Sequence, residues 1–134
     1  MAVLTDVGAY LVSTVTDVTL VAGTNLFYGR LPDDPDICVA LFETGGSPPT
    51  STLGPDAVPL IESPRVQVMC RAAAYADAST LSVDVWKQLQ LVANDSLSST
   101  LYQRVNAVQS PFALERDSRD RLVMACIYQV TKNV

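Results

Sequence analysis

Leu4, Val7, Leu11 and Val15 recur every three or four positions, which sets them along one side of a helix. The predicted span is about residues 3–16, with Thr5 or Asp6 as N-cap. Gly8 and the β-branched residues from Val12 to Val18 weaken this helix. Ala22-Gly23-Thr24-Asn25 breaks the pattern. Leu26 to Arg30 then reads as a short strand and Ile37 to Glu43 as a second. Pro32-Asp33-Asp34-Pro35-Asp36 between them has turn chemistry, because proline fixes φ and aspartate bonds its own backbone. The two strands are expected to pair as a hairpin. From Arg65 to Arg71 the pattern alternates. Val66, Val68 and Cys70 face one way, and Arg65, Gln67 and Arg71 form a basic-polar outer face. Ala78, Leu81, Val85, Leu89 and Val92, flanked by Trp86, stripe a second helix capped by Asp77 or Ser79 and ended by Asn94-Asp95-Ser96. Tyr102 to Val108 is a strand with Arg104 and Asn106 opposite Val105 and Ala107. Pro111 interrupts, Phe112 to Glu115 is extended, and Arg116 to Arg121 makes a charged hairpin tip. Leu122 to Thr131 is apolar on both faces, as a central strand covered on both sides would be.

This order predicts an α+β fold: a mainly antiparallel sheet of four to five strands packed against two helices. At 134 residues the chain is expected to form a single domain over 1–134. A chain of this size buries roughly two thirds of its unfolded surface. Thr44 to Pro64 is a long Pro/Gly-rich loop. It is not an interdomain linker, since neither flank reaches typical domain size. Loops of this length are functional or disordered. Leu53, Val58, Leu60 and Ile61 make it more apolar than a solvent loop, so two readings stand: a floppy insertion, or an arm that orders on a neighbouring subunit.

Charge and chemistry narrow the function. Nine basic residues face fourteen acidic ones, for a net charge of −5, and there is no basic run. That argues against a dedicated DNA-binding role, which needs cations against phosphate. No apolar run reaches the roughly 18 residues of a membrane span. Met1-Ala2-Val3-Leu4-Thr5-Asp6 has no basic segment, so no secretory signal is expected. Cys38, Cys70 and Cys126 are odd in number and form no C-x-x-C, which fits buried hydrophobes in a reducing cytosol. Without histidine, Ser-His-Asp and Cys-His arrangements and His-containing zinc sites are excluded. Gly45-Gly46 lacks the Lys-Ser/Thr of a phosphate loop. Asp33, Asp34 and Asp36 are better turn formers than calcium ligands, being interrupted by proline. Glu115, Asp117 and Asp120 are interleaved with Arg116, Arg119 and Arg121. That pattern suits a surface or a protein contact better than acid–base catalysis. No catalytic, cofactor or metal site is expected, and no enzymatic activity.

Several segments carry a resemblance. They are Gly23-Thr24-Asn25-Leu26-Phe27-Tyr28-Gly29-Arg30-Leu31-Pro32, Leu41-Phe42-Glu43-Thr44-Gly45-Gly46, Glu62-Ser63-Pro64-Arg65-Val66-Gln67-Val68, Gln109-Ser110-Pro111-Phe112 and the Asp117–Arg121 tip. In this order and spacing the chain resembles the tail-terminator and minor capsid (head–tail joining) proteins of long-tailed bacteriophages, the siphophages. Leu91 to Leu101 carries no family signature. The resemblance implies a structural virion protein of the tail or neck, assembled in the bacterial host cytoplasm and without membrane contact. Such proteins form a six-membered ring on the tail tube and stop its polymerisation. The implied partners are further copies of the chain, the major tail tube protein and a head-completion (neck) protein. DNA would pass through the lumen without specific binding, past six copies that together carry −30 at −5 each. The alternatives are a neck protein on the portal side and a small ligand-binding α+β domain. The expected interface comprises Arg65, Gln67 and Arg71 on the alternating strand, Glu115, Arg116, Asp117, Arg119, Asp120 and Arg121 at the tip, and Leu53, Leu60 and Ile61 in the loop.

Overall fold

Nine elements build the structure, a computed structural model that describes residues 3–51 and 59–134. They are α1 (Val3–Thr14), β1 (Leu26–Tyr28), β2 (Cys38–Ser51), β3 (Pro59–Ala72), α2 (Tyr75–Gln90), β4 (Ala93–Leu97), β5 (Thr100–Ala107), β6 (Phe112–Arg116) and β7 (Leu122–Asn133). The strands form one sheet in the order β1-β2-β3-β7-β5-β4. β6 pairs with the first half of β7, while β5 pairs with its second half. The fold is α+β, as the residue pattern predicts, with seven strands in place of four or five. No described helix is long and apolar enough to cross a membrane.

Both helices lie on the same face of the sheet, because each has one apolar stripe to bury. Val7 and Leu11 of α1 and Leu81, Val85 and Leu89 of α2 pack with Val66, Val68, Cys126, Tyr128 and Val130 of the sheet. Burying each of the leucines contributes roughly 1.5–3 kcal/mol. β7 is central, but helices cover only one of its faces. On the other, Val123 and Ala125 are buried while Ile127, Gln129 and Thr131 are half-buried. Two-sided cover is therefore confined to its first half.

Four expectations need correction. First, β1 and β2 pair in parallel, not as a hairpin, with Leu26 opposite Val39 and Tyr28 opposite Leu41. A three-residue strand rises only about 10 Å, so the Gly29–Ile37 segment is long enough to return the chain to the starting end. Second, the described part of 44–64 is not a loop. β2 and β3 run for 14 residues each and pair up to Ser51–Pro59, which makes an arm. β3 is also templated from its other side by the end of β7, with Ile61 opposite Asn133 and Glu62 opposite Lys132. Gly45, at φ +84°, takes up a bulge in the arm, and Pro48 and Pro49 sit on its outer strand. Third, Asn94-Asp95-Ser96 does not end α2, which stops at Gln90, but forms most of β4. Ser98 and Ser99, with φ of 49° and 69°, make the tight turn that folds β4 onto β5. α2 itself starts at Tyr75, and its N-cap, Ala74, offers no side-chain hydrogen bond. Fourth, neither Thr5 nor Asp6 is the N-cap of α1, since the helix already includes Val3; Asp6 has another part. It lies inside α1, is 8% exposed, and accepts a hydrogen bond of 2.6 Å from the Tyr102 hydroxyl.

That bond belongs to a buried polar set on the helix side of the sheet. Lys132 is fully buried and donates to Glu62 Oε1 at 2.5 Å, with its Nζ 5.7 Å from the centre of the Tyr102 ring. Burial, then the bond to Asp6, raises the Tyr102 hydroxyl pKa, so it stays protonated and serves as donor. The set ties α1 to β3, β5 and β7.

Replacing Tyr102 with Phe strands the Asp6 carboxylate and is expected to cost about 1–3 kcal/mol, read as a lower urea midpoint. A Cβ at Gly46 would lie 2.0 Å from the Ser63 carbonyl oxygen. Gly46→Ala is therefore expected to open the arm, seen as faster amide exchange around Ser47 and Ser63 with the helical amides unchanged.

Candidate assembly surface

Two arginines that face away from the helices organise the other side of the sheet. Arg71 ends the alternating part of β3 and is 2% exposed, not on an open outer face as its spacing predicts. Its cover is the turn between β1 and β2. Arg71 Nη2 donates to the Pro35 carbonyl at 2.5 Å and the Asp33 carbonyl at 3.4 Å, and Nε donates to that of Asp36 at 3.3 Å. Arg121, which enters β7, is 3% exposed. Its guanidinium bonds the carboxylates of Asp117 at 2.8 Å, Asp33 at 3.1 Å and Asp36 at 3.2 Å, and also the Asp33 carbonyl. Arg119 reaches Asp34 from the outside at 3.2 Å. The three aspartates of the turn are thus neutralised by arginines far along the chain. This is how buried guanidiniums are tolerated, since an unpaired buried charge is costly.

Asp117 is the hinge of the cluster. Its carboxylate accepts the backbone N–H groups of Arg119 and Arg121, each at 3.0 Å, and Nε of Arg121. These bonds, the Arg121 backbone N–H foremost, hold the Asp117 pKa down at about 2. Asp120, at φ 58°, closes the turn, where its N–H donates to the Asp117 carbonyl at 3.0 Å.

The expected interface residues therefore fall into separate groups. Arg71, Asp117, Arg119 and Arg121 come together, and the structure adds Asp33, Asp34 and Asp36 to them. Glu115, Arg116 and Asp120 are exposed along the same end, where Arg116 bonds the Asp120 carbonyl at 2.9 Å. Arg65 and Gln67 lie elsewhere, mid-strand on the helix-free face, with Arg65 Nε donating to Gln129 Oε1 at 2.9 Å. Leu60, 51% exposed, and half-buried Ile61 sit on the arm. Leu53 lies outside the described residues. Gln129 belongs to this surface and escapes a reading of β7 as purely apolar. The three cysteines are free and buried, and burial pushes the Cys70 thiol up to about 12, so it is no nucleophile at neutral pH.

Residues 7–134 match the family model for the bacteriophage tail terminator protein. No curated protein matches the chain. Among solved structures, a chain described as "Virion of native gene transfer agent (GTA) particle" is similar, at 18% identity and a TM-score of 0.62, over 98% of this chain and 94% of that one. At that identity the likeness concerns the fold.

The Asp117 carboxylate titrates lower in the folded chain than in the unfolded one. It therefore adds stability above an ordinary carboxylate pKa of about 4, and that stability is lost as pH falls toward about 2. Asp117→Asn is expected to lower the melting temperature at pH 7 and to flatten its fall between those two pH values. A variant with the wild-type acid profile would remove Asp117 from this role.

Proposed function

The chain belongs to the bacteriophage tail terminator family, and we propose that it closes the head-proximal end of the tail tube as a ring. Family membership makes it a structural component of the phage particle. The finer reading is a six-membered ring seated on the last ring of the tail tube protein. It ends polymerisation there and offers its other rim to a head-completion protein. The observation that carries this is the family match across residues 7–134. The shape supports it. A sheet with helices on one face leaves a second broad face, an arm and a braced charged turn for contacts with other chains.

Each part then has a place. The arm of β2 and β3 extends toward the tube or the neck, with Leu60 and Ile61 near the far end of its described part. The β6–β7 turn, fixed by Asp117 and Arg121, presents Arg116, Arg119 and Asp120 as a rigid contact. Rigid presentation lowers the entropy cost of docking. Six copies at −5 each carry −30, and acidic walls let DNA slide past without adhering.

Infected cells that lack this chain are expected to accumulate tails of uncontrolled length that are not joined to heads, scored by electron microscopy of lysates. Tails of normal length joined to heads would overturn the reading.

A further inference from the structure

The pairing register lays out rows across the helix-free face. Met69 stands between Ala40 and Ala125, with Phe112 beyond, and Gln67 stands between Phe42 and Ile127. Arg65, Gln129 and Asn106 form the next row, and Arg104 stands beside Thr131. No carboxylate occurs in these rows; Glu115 lies one row on, beside Val123, and Glu43 and Glu62 share a cleft with Arg65. The charges within the rows are two guanidiniums. Each is steadied through Nε by an amide oxygen, Arg65 by Gln129 at 2.9 Å and Arg104 by Asn106 at 2.6 Å. Neither forms an ion pair with an acid among the described residues. Their terminal nitrogens are left to donate outward, in the fork geometry that suits a carboxylate.

The opposite face has the complementary sign. Lys87 is the one basic residue of α1 and α2. Asp17 and Asp84 line a shallow cleft of about 420 Å³ there, together with Thr80 and Lys87. Asp84 accepts the N–H groups of Thr16 and Asp17, each at 3.0 Å. A carboxylate has room for further donors. Asp77 stands exposed in the first turn of α2.

Resting on the ring reading above, we infer that the helix-free face of one copy docks on the helical face of the next, with Arg65 and Arg104 meeting Asp17, Asp77 and Asp84. Unlike patches make a heterologous contact, the kind that closes into a cyclic ring. Half-buried Phe42, Met69 and Ile127 supply an apolar centre and the arginines a polar rim, the usual anatomy of an interface.

Sedimentation and negative-stain imaging of the full chain test this. Wild-type rings are expected to loosen as salt rises. R65E/R104E and D17R/D77R are each expected to lose about 10-fold or more in self-association while keeping the wild-type melting temperature. An equimolar mixture of the two is expected to regain rings, because alternation in a six-membered ring sets opposite charges at every contact. If R65E/R104E alone forms rings as stable as wild type, the docking is wrong and the ring reading survives. Variants that fail both alone and mixed also overturn the docking, since these faces then meet other partners. A wild-type chain that makes no ring, alone or on tail-tube ends, overturns both.

Discussion

Two guanidiniums on the helix-free side of the sheet must be shielded from water without losing their partners. Arg71 and Arg121 are nearly as buried as the core leucines, yet no helix covers them. Only oxygens can satisfy them at acceptable cost, and the chain supplies these from two turns. The β1–β2 turn gives its carbonyls and the carboxylates of Asp33 and Asp36, and the β6–β7 turn gives Asp117. The requirement fixes both turns at once. It sets where β2 starts and how β6 meets β7, and it leaves the rest of that face open.

Much of this could be read from residue order. The stripes of α1 and α2 each predict a helix on the face that is buried. The alternation from Val66 to Cys70 places these side chains toward the core. The apolar run of β7 marks the centre of the sheet. Other parts were not legible. β4 is polar and almost wholly exposed, so Asn94, Asp95 and Ser96 look like a loop. The arm has the composition of a loop, and it is ordered by pairing to strands distant in sequence, not by propensity. The side on which Arg71 lies follows from alternation. Its burial does not, because the cover comes from a turn some 35 residues upstream.

The candidate site was legible in composition more than in place. The mix of acids and arginines at 115–121 correctly signals ion pairing. Nothing in the local sequence says that Arg121 turns inward to Asp33 and Asp36 or that Arg119 reaches Asp34 from outside. What was expected to be one contact patch is therefore two things. One is a brace that holds turns together. The other is an open face on which Arg65 and Arg104 stand without an ion pair among the described residues. The first holds the fold together, and the docking proposed above gives the second to association between copies.

The outer strand of the arm leads to a last point. An unpaired strand edge normally invites another strand to add, and the process can repeat without limit. Pro48 and Pro49 have no N–H to offer, so this rim cannot serve as a continuous template. A chain that caps a growing tube, as proposed above, must not itself become a seed. Here the imino rings blunt a long strand border from which unwanted fibrils would sprout.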